Sequence, residues 1–226
     1  MISAAHGPGV PQVVRMLLPE VPMDALLTQL AAEAARLSSL GFLACTAGNV
    51  SVRLPDAAGA LVVAMSPSGV DKGKLVPADF IRVGGDAKPL GDDRRKPSDE
   101  TRLHVTLYQH VGCGAVCHGH PPHAVALSLS SGDRVVFSGI EMQKAFAGTT
   151  THACERVLPI IENSQDMAEL SAAAVARRVP EVPAVLVRGH GVYAWGATPA
   201  EASRHLEAVE WLCRILLLGS AFSRNR

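Results

Sequence analysis

The sequence predicts an α/β fold, because helical and strand patterns alternate along most of its 226 residues. Apolar residues recur at helical spacing after Asp24 and again after Thr198, which indicates an early helix and a long late one. Between these helices lie short apolar runs, such as residues 184–187, bounded by glycine, proline and small polar residues. Runs of that kind are typical of strands. A chain of this length suits one domain, so we expect a single domain over 1–226, with a less regular segment over 1–20.

Each predicted helix has a start signal or an apolar face. Asp24 can cap the first helix, which Gly41 ends. Ser98 is a candidate N-cap for the second, and Thr198 followed by Pro199 opens the last, whose wide apolar arc predicts burial or a subunit interface. The predicted helices cover residues 24–40, 101–110, 122–130, 166–178 and 199–220. The predicted strands are one running up to residue 53 and others at 61–65, 80–83, 114–116, 135–137, 157–161, 184–187 and 192–195.

Composition excludes several functional classes. The 21 basic residues balance 21 acidic ones, which argues against nucleic acid or an anionic membrane as the main partner. The most apolar stretch, residues 211–222, carries Arg214 and is far shorter than the ~20 residues of a spanning helix. Five irregularly spaced cysteines without a C-x-x-C motif favour a reducing compartment, and the N-terminus does not resemble a signal peptide. We therefore expect a cytoplasmic protein.

The segment C-H-G-H-P-P-H, residues 117–123, is the strongest candidate site. Residues two apart in a strand point to one face, so His118 and His120 project together while Cys117 faces away as a buried thiol. Two histidines near a loop are a weak signal on their own. A third, His190, follows another apolar strand with the same small-residue flanks. Three histidines with an open position are typical of a catalytic zinc. We expect His123 to lie on a helix face instead of binding metal.

Other polar residues keep structural explanations. The runs 46–49 and 66–69 could form an oxyanion-binding cradle, but such residues also form ordinary turns. A helix dipole explains Glu100, although a carboxylate directed at a nearby metal is the alternative. The polar residues of 140–146, namely Glu141, Gln143 and Lys144, fit a solvated helix face. Surface positions are expected for Asp71, Lys72, Lys74, Asp79, His104 and His110.

Taken in order, the motifs resemble the class II aldolase and adducin family. The matching motifs are T-A-G-N-V-S, S-P-S-G, K-P-S-D-E-T, H-G-H and R-G-H-G-V-Y-A-W-G, beginning at residues 46, 66, 96, 118 and 188. Within the family, G-I-E-M-Q-K-A from 139 and P-I-I-E-N-S from 159 are most similar to the methylthioribulose-1-phosphate dehydratase branch. The resemblance implies a three-layer α/β/α fold with a mostly antiparallel central sheet. It also implies homotetramers whose active sites lie at subunit interfaces.

The resemblance also implies roles for particular residues. His118, His120 and His190 match the ligands of one Zn²⁺ per subunit. Glu100 matches a metal-binding acid/base of the aldolases, and Glu141 matches the acid/base of the dehydratases. The positions that match phosphate-binding loops for a sugar phosphate substrate are Thr46, Gly48, Asn49, Ser68, Gly69 and Ser98. Asp99 replaces a phosphate-binding serine, and a carboxylate there would repel phosphate.

The implied reaction is dehydration of 5-methylthioribulose 1-phosphate to 5-methylthio-2,3-dioxopentyl 1-phosphate in methionine salvage. Two alternatives stay open. One is a fuculose- or ribulose-phosphate type aldolase, which Glu100 favours. The other is a non-catalytic interaction domain like the adducin head, against which the three histidines argue.

Overall fold

The computed structural model describes residues 22–56 and 58–223, so the less regular segment expected over 1–20 lies outside the described residues. The strands are β1 Asn49–Leu54, β2 Val62–Met65, β3 Ile81–Gly84, β4 Ala115–Gly119, β5 Arg134–Ser138, β6 Glu155–Ile161, β7 Ala184–Val187 and β8 Gly191–Gly196. The α-helices are α1 Met23–Ser39, α2 Thr101–Val111, α3 Pro122–Ser130, α4 Met167–Arg177 and α5 Pro199–Ser223. Short 3₁₀ segments cover Lys72–Lys74, Pro77–Asp79 and Glu141–Ala145.

The eight strands form one sheet in the order β3-β2-β1-β4-β8-β7-β6-β5. Neighbouring strands are antiparallel, except that β6 and β7 are parallel. The expected mostly antiparallel sheet is therefore confirmed, with one parallel pair that makes it mixed. Strand β4 lies near the middle, between β1 and β8, so the segment carrying His118 is enclosed by hydrogen-bonded neighbours.

Helices cover both faces of the sheet and make three layers. Because alternate strand residues point to opposite faces, Cys117 packs into the core shared with α1, α3 and α5. Val116 and Tyr193 point to the other core, which α2 and α4 complete. His118 therefore lies on the α2 side of the sheet, and Cys117 faces away from it, as its position in the strand predicts.

Helix starts differ in part from the sequence expectations. Thr198 caps α5 as predicted, its Oγ1 accepting the Glu201 N–H at 3.2 Å. Asp24 is not a cap, because α1 begins after Pro22 and Asp24 already lies in the first turn. Ser98 accepts the Glu100 N–H at 3.3 Å, but the N-cap residue of α2 is Glu100.

Three residues predicted at the surface are buried. His104, Lys72 and Gln143 are 0%, 1% and 0% exposed. A polar side chain can be buried when partners satisfy it, and local sequence does not reveal those partners because they come from distant segments. The Gln143 side-chain amide, for example, donates to the Cys154 carbonyl at 3.0 Å. No helix within the described residues is long and apolar enough to cross a membrane.

Candidate metal and active site

Three histidine side chains converge where β4 and β7 end. His118 is the last-but-one residue of β4, His120 follows the strand, and His190 lies in the turn between β7 and β8. The three ring centroids form a nearly equilateral triangle with sides of 4.8, 4.9 and 4.9 Å. Their ligand nitrogens all lie within 4.8 Å of one another. A divalent ion with three nitrogen ligands fits this arrangement.

The surroundings of His118 prepare it as a ligand. Its Nδ1–H donates to the Val192 carbonyl at 3.0 Å, and its ring stacks on Tyr193 with centroids 4.0 Å apart. This hydrogen bond occupies Nδ1 and leaves Nε2 available as the metal-binding atom. His118 Nε2 lies 2.9 Å from Nε2 of His120. Burial lowers the pKa of His118 to about 3 and also lowers the pKa of His120. Both are therefore neutral near pH 7, which is the form that binds metal.

Glycines beside the histidines leave room for the imidazole rings. A Cβ on Gly191 would lie 2.8 Å from His120 Cδ2 and 3.0 Å from His118 Cε1. Gly189, just before His190, has φ +63°, a left-handed conformation that favours glycine. The flanking small residues noticed in the sequence are thus a steric requirement of the site. His123 takes no part, since its Nδ1 pairs with Glu210 at 2.6 Å.

Glu100 lies directly beside the histidines. One carboxylate oxygen is 3.3 Å from His118 Nε2, and the other is 3.2 Å from His190 Nε2. The Asn49 amide donates to the carboxylate at 2.6 Å. Burial opposes ionisation of Glu100, but His118, His190 and Asn49 outweigh it and lower the pKa of the carboxyl well below its usual range. Glu100 is thus an anion within reach of any ion held by the histidines.

The polar loops predicted to bind phosphate meet next to this group. Ser66 is buried and joins them: its Oγ accepts the Val50 N–H at 3.1 Å, and its carbonyl accepts the Ser98 N–H at 3.3 Å. The Ser68 N–H donates to the Lys96 carbonyl at 3.0 Å. Residues 46–49, 66–69 and 96–98 are thereby brought together at one edge of the histidine site. Gly48 and Gly69 have φ values of +71° and +72°, and Asp99 points outward to pair with Lys96.

Glu141 is not joined to this group within one chain. Its carboxylate is 68% exposed and pairs with Lys144 and with His152 Nδ1 at 3.1 Å. No hydrogen bond or ion pair of the described residues links it to the histidines or Glu100. Its segment packs instead on the first half of α5, where the Ala145 carbonyl accepts from Arg204. Lys144 holds the pKa of Glu141 below its usual value.

A buried polar network behind the histidines was missed by sequence reasoning. Ser51 Oγ lies 2.7 Å from His104 Nδ1 and 2.8 Å from the Tyr108 hydroxyl. Strand and helix spacing in the sequence allows Ser51, His104 and Tyr108 to lie on facing surfaces. The spacing does not show that Ser51 hydrogen-bonds with the other two residues. The Tyr193 ring connects this network to His118, because His104 meets it edge-on at 5.9 Å.

Four buried polar atoms around the site have no hydrogen-bond partner among the described residues. They are Asn49 Oδ1, His104 Nε2, His190 Nδ1 and the Tyr193 hydroxyl. Buried polar groups are almost always satisfied, so a group of four such atoms indicates that other molecules complete this site. A bound ion with its waters, or a polar substrate, fits this donor and acceptor set.

Sequence comparison places the chain among known proteins. The class II aldolase and adducin N-terminal domain matches residues 28–217. The chain belongs to the class II aldolase and adducin family. Family members include the methylthioribulose-1-phosphate dehydratase of Acidiphilium cryptum, 43% identical over 189 residues, which are 81% of this chain and 86% of that protein. The enzyme of the same name from Pectobacterium atrosepticum is 43% identical over 197 residues, 82% and 90% of the two chains.

Solved structures agree with this family. The crystal structure of L-fuculose-1-phosphate aldolase from Thermus thermophilus superposes with a TM-score of 0.68 at 25% identity. The match covers 88% of this chain and 96% of that one. The predicted α/β/α class II aldolase fold is therefore confirmed.

Proposed function

We propose that this protein is a zinc-dependent methylthioribulose-1-phosphate dehydratase. The observation that carries the proposal is that three converging histidines and Glu100 adjoin the three polar loops. The chain is also 43% identical to two dehydratases of that name. A metal site beside an anion cradle suits a phosphorylated substrate with a carbonyl to be polarised. The three histidines also argue against a purely structural adducin-like role.

The metal-binding part of the proposal assigns His118, His120 and His190 as ligands of one Zn²⁺ per subunit. Three imidazoles that leave further positions open are the donor set of catalytic zinc sites. When bound, zinc supplies Lewis-acid polarisation of the substrate C2 carbonyl, which acidifies the C3 proton. The Glu100 carboxylate, an anion 3.3 Å from His118 Nε2, would either join the coordination or accept a proton beside it.

The phosphate-binding part assigns Thr46, Gly48, Asn49, Ser68, Gly69 and Ser98 to the substrate phosphate. Hydroxyl groups and backbone amides in left-handed loops are suited to bind an oxyanion. The contacts through Ser66, which join these loops next to the histidines, support the assignment. Anchoring the phosphate there would orient the C2 and C3 oxygens toward the metal ligands.

Glu141 is the acid/base of the proposed reaction. Its carboxylate accepts the proton from C3, the electron pair of that C–H bond forms a C2–C3 double bond, and the C2 carbonyl π pair moves onto the C2 oxygen. The C2 carbonyl then re-forms, the C2–C3 π pair shifts to make a C3–C4 double bond, and the C4–O bond breaks as the proton is delivered to the C4 hydroxyl, which leaves as water. The resulting enol tautomerises to the dicarbonyl product. Lys144 holds the pKa of Glu141 below its usual value, so the carboxylate is ionised near pH 7 and can accept a proton.

The exposed position of Glu141 leads us to propose that it acts in the site of a neighbouring subunit. Its segment contacts the α5 side of the sheet, whereas His118 lies on the α2 side. A homotetramer with active sites at subunit interfaces would bring the two together. Exposed apolar side chains on α5, Trp211 and Leu218, support an interface role for that helix.

We also propose a cytoplasmic location and a single domain. All five cysteines are free, and three of them are buried thiols. A chain with no disulfide suits a reducing compartment.

Turnover of the candidate substrate tests the function directly. The metal-loaded protein is incubated with 5-methylthioribulose 1-phosphate, and the products are separated. A dicarbonyl of unbroken carbon chain, formed with one zinc per subunit, is the expected result. Two shorter fragments would instead identify an aldolase, the alternative that Glu100 favours by its position beside the histidines. Absence of stoichiometric metal would favour the non-catalytic alternative.

A further inference from the structure

Lys72 is a buried cation without an ion-pair partner in the described part of the chain. Only 1% of the residue is exposed. Its Nζ donates to the Thr46 carbonyl at 2.9 Å and to the Val70 carbonyl at 2.8 Å. The adjacent carboxylate of Asp71 is directed elsewhere, accepting the Gly73 N–H at 2.9 Å and pairing with Lys74 at 3.3 Å.

Such a charge needs an explanation. Taking an ammonium out of water is costly unless an opposite charge compensates it, and two carbonyl groups provide partial charges only. Burial accordingly lowers the pKa of Lys72, while Asp71 acts in the opposite direction. The surrounding residues therefore leave part of the positive charge uncompensated, and an anionic ligand would compensate it.

Of the two carbonyls that Lys72 joins, one belongs to the 46–49 loop and the other directly follows the 66–69 loop. Thr46 precedes Gly48 and Asn49, and Val70 directly follows Gly69. One ammonium thus holds the ends of both loops within about 6 Å of each other, as two bonds of ordinary hydrogen-bond length require. The third N–H of an ammonium group is not used by either carbonyl.

We infer that Lys72 is a positioning residue of the phosphate subsite, which aligns the 46–49 and 66–69 loops and supplies the positive charge that favours a phosphate dianion. The inference rests on the proposed function, since it assigns a phosphate to that cradle. It adds a residue outside the loop motifs and explains why a charge is buried where the two loops meet.

Lys74 provides a matched control in the same 3₁₀ segment. Its side chain is 84% exposed and pairs with Asp71, so replacing it removes one formal charge nearby without touching either loop carbonyl. The test compares the full-length, metal-loaded variants Lys72→Met, Lys72→Gln, Lys72→Arg and Lys74→Met with the natural protein. Inorganic phosphate is the binding probe, measured by calorimetry, and steady-state kinetics with the proposed substrate are measured in parallel.

We expect Lys72→Met and Lys72→Gln to weaken phosphate binding and raise KM by roughly tenfold or more, which corresponds to about 1.4 kcal/mol. The kcat should change much less, because the interaction is made equally in the ground and transition states. Lys72→Arg should recover most of the affinity, and Lys74→Met should differ by less than about twofold, as expected for an exposed ion pair. Zinc content should be unchanged throughout.

Several results would overturn the inference. They are native phosphate affinity in folded Lys72→Gln, equal losses in Lys72→Met and Lys74→Met, no phosphate binding by the natural protein, or failure of both uncharged variants to fold. The last outcome would make Lys72 a structural cation only. Phosphate binding that depends on Lys72, in a protein that does not convert the substrate, would support this inference and refute the proposed function alone.

Discussion

Replacing Glu141 by glutamine tests both the chemistry and the subunit arrangement proposed for this protein. The side chain is 68% exposed, and its ion pairs with Lys144 and His152 are solvent-accessible. Exposed ion pairs add little to stability, so the variant should fold and bind metal normally. Loss of the group that transfers the proton should lower kcat by roughly 100-fold or more. Near-normal turnover with zinc bound would show that Glu141 is not the acid/base.

Mixing two inactive variants then tests where Glu141 acts. His190→Ala removes one proposed metal ligand and keeps Glu141, whereas Glu141→Gln does the reverse. If each site combines histidines of one subunit with Glu141 of its neighbour, random hybrids should restore about a quarter of the sites, because each native half is present with a chance of about one half. If each site uses its own Glu141, no hybrid site is complete.

The assay is turnover after the two variants are denatured together and reassembled at equal concentration. Native mass spectrometry confirms that mixed oligomers have formed, and reassembly of each variant alone is the control. Activity near a quarter of the natural value supports action across the interface. Mixed oligomers with no more activity than the separate variants would refute that arrangement.

Further predictions concern the metal, pH and the loops. Chelation of the metal should abolish turnover, and added zinc should restore it. Denaturant titration should show that the free energy of unfolding is about 4 kcal/mol lower without metal than with metal at ~1,000 times its Kd. Burial lowers the pKa of His104 to about 4, so its unfolded state binds more protons below pH 6.5. The free energy of unfolding should therefore fall by up to ~1.4 kcal/mol per pH unit as the pH is lowered from 6.5 to 4. Denaturation at several pH values should show a smaller slope for His104→Phe. Equal slopes would contradict the role given to His104. Gly48→Ala should lower the free energy of unfolding more than Gly69→Ala does. Both glycines have positive φ, but only a Cβ on Gly48 would clash with its neighbours, lying 2.4 Å from Leu43 Cδ2 and 2.8 Å from the His118 carbonyl oxygen. The left-handed backbone conformation should cost each alanine variant ~1–2 kcal/mol. Equal melting temperatures of the two variants would refute the clash at Gly48. The affinity for zinc should fall only in the Gly48 variant.

Local sequence patterns predicted helices and strands well in short segments where apolar residues dominate. The strand at 184–187 and the helix at 122–130 have the predicted bounds, and Thr198 caps α5 as expected. Period-two spacing brought His118 and His120 together correctly. These features depend on backbone geometry within a few residues, which the sequence specifies directly.

Partners from distant segments were not predictable in the same way. Lys72 and His104 resemble surface residues in sequence, yet both are buried, because Thr46, Val70 and Ser51 provide their hydrogen bonds. The predicted cap at Asp24 was wrong, since Pro22 precedes the helix start and supplies no side-chain bond. Each of these outcomes depends on the packed chain and not on neighbouring residues.

The sequence by itself determined the residue types at the site, the alternation of helices and strands, and the family to which the chain belongs. The tertiary structure decided that His190 joins the other two histidines, that Glu100 lies against them, and that Glu141 faces away on the exposed surface. The physical reason is that chemistry is encoded residue by residue. Proximity, in contrast, results from the burial of both sheet faces and from hydrogen bonds between segments far apart in the chain.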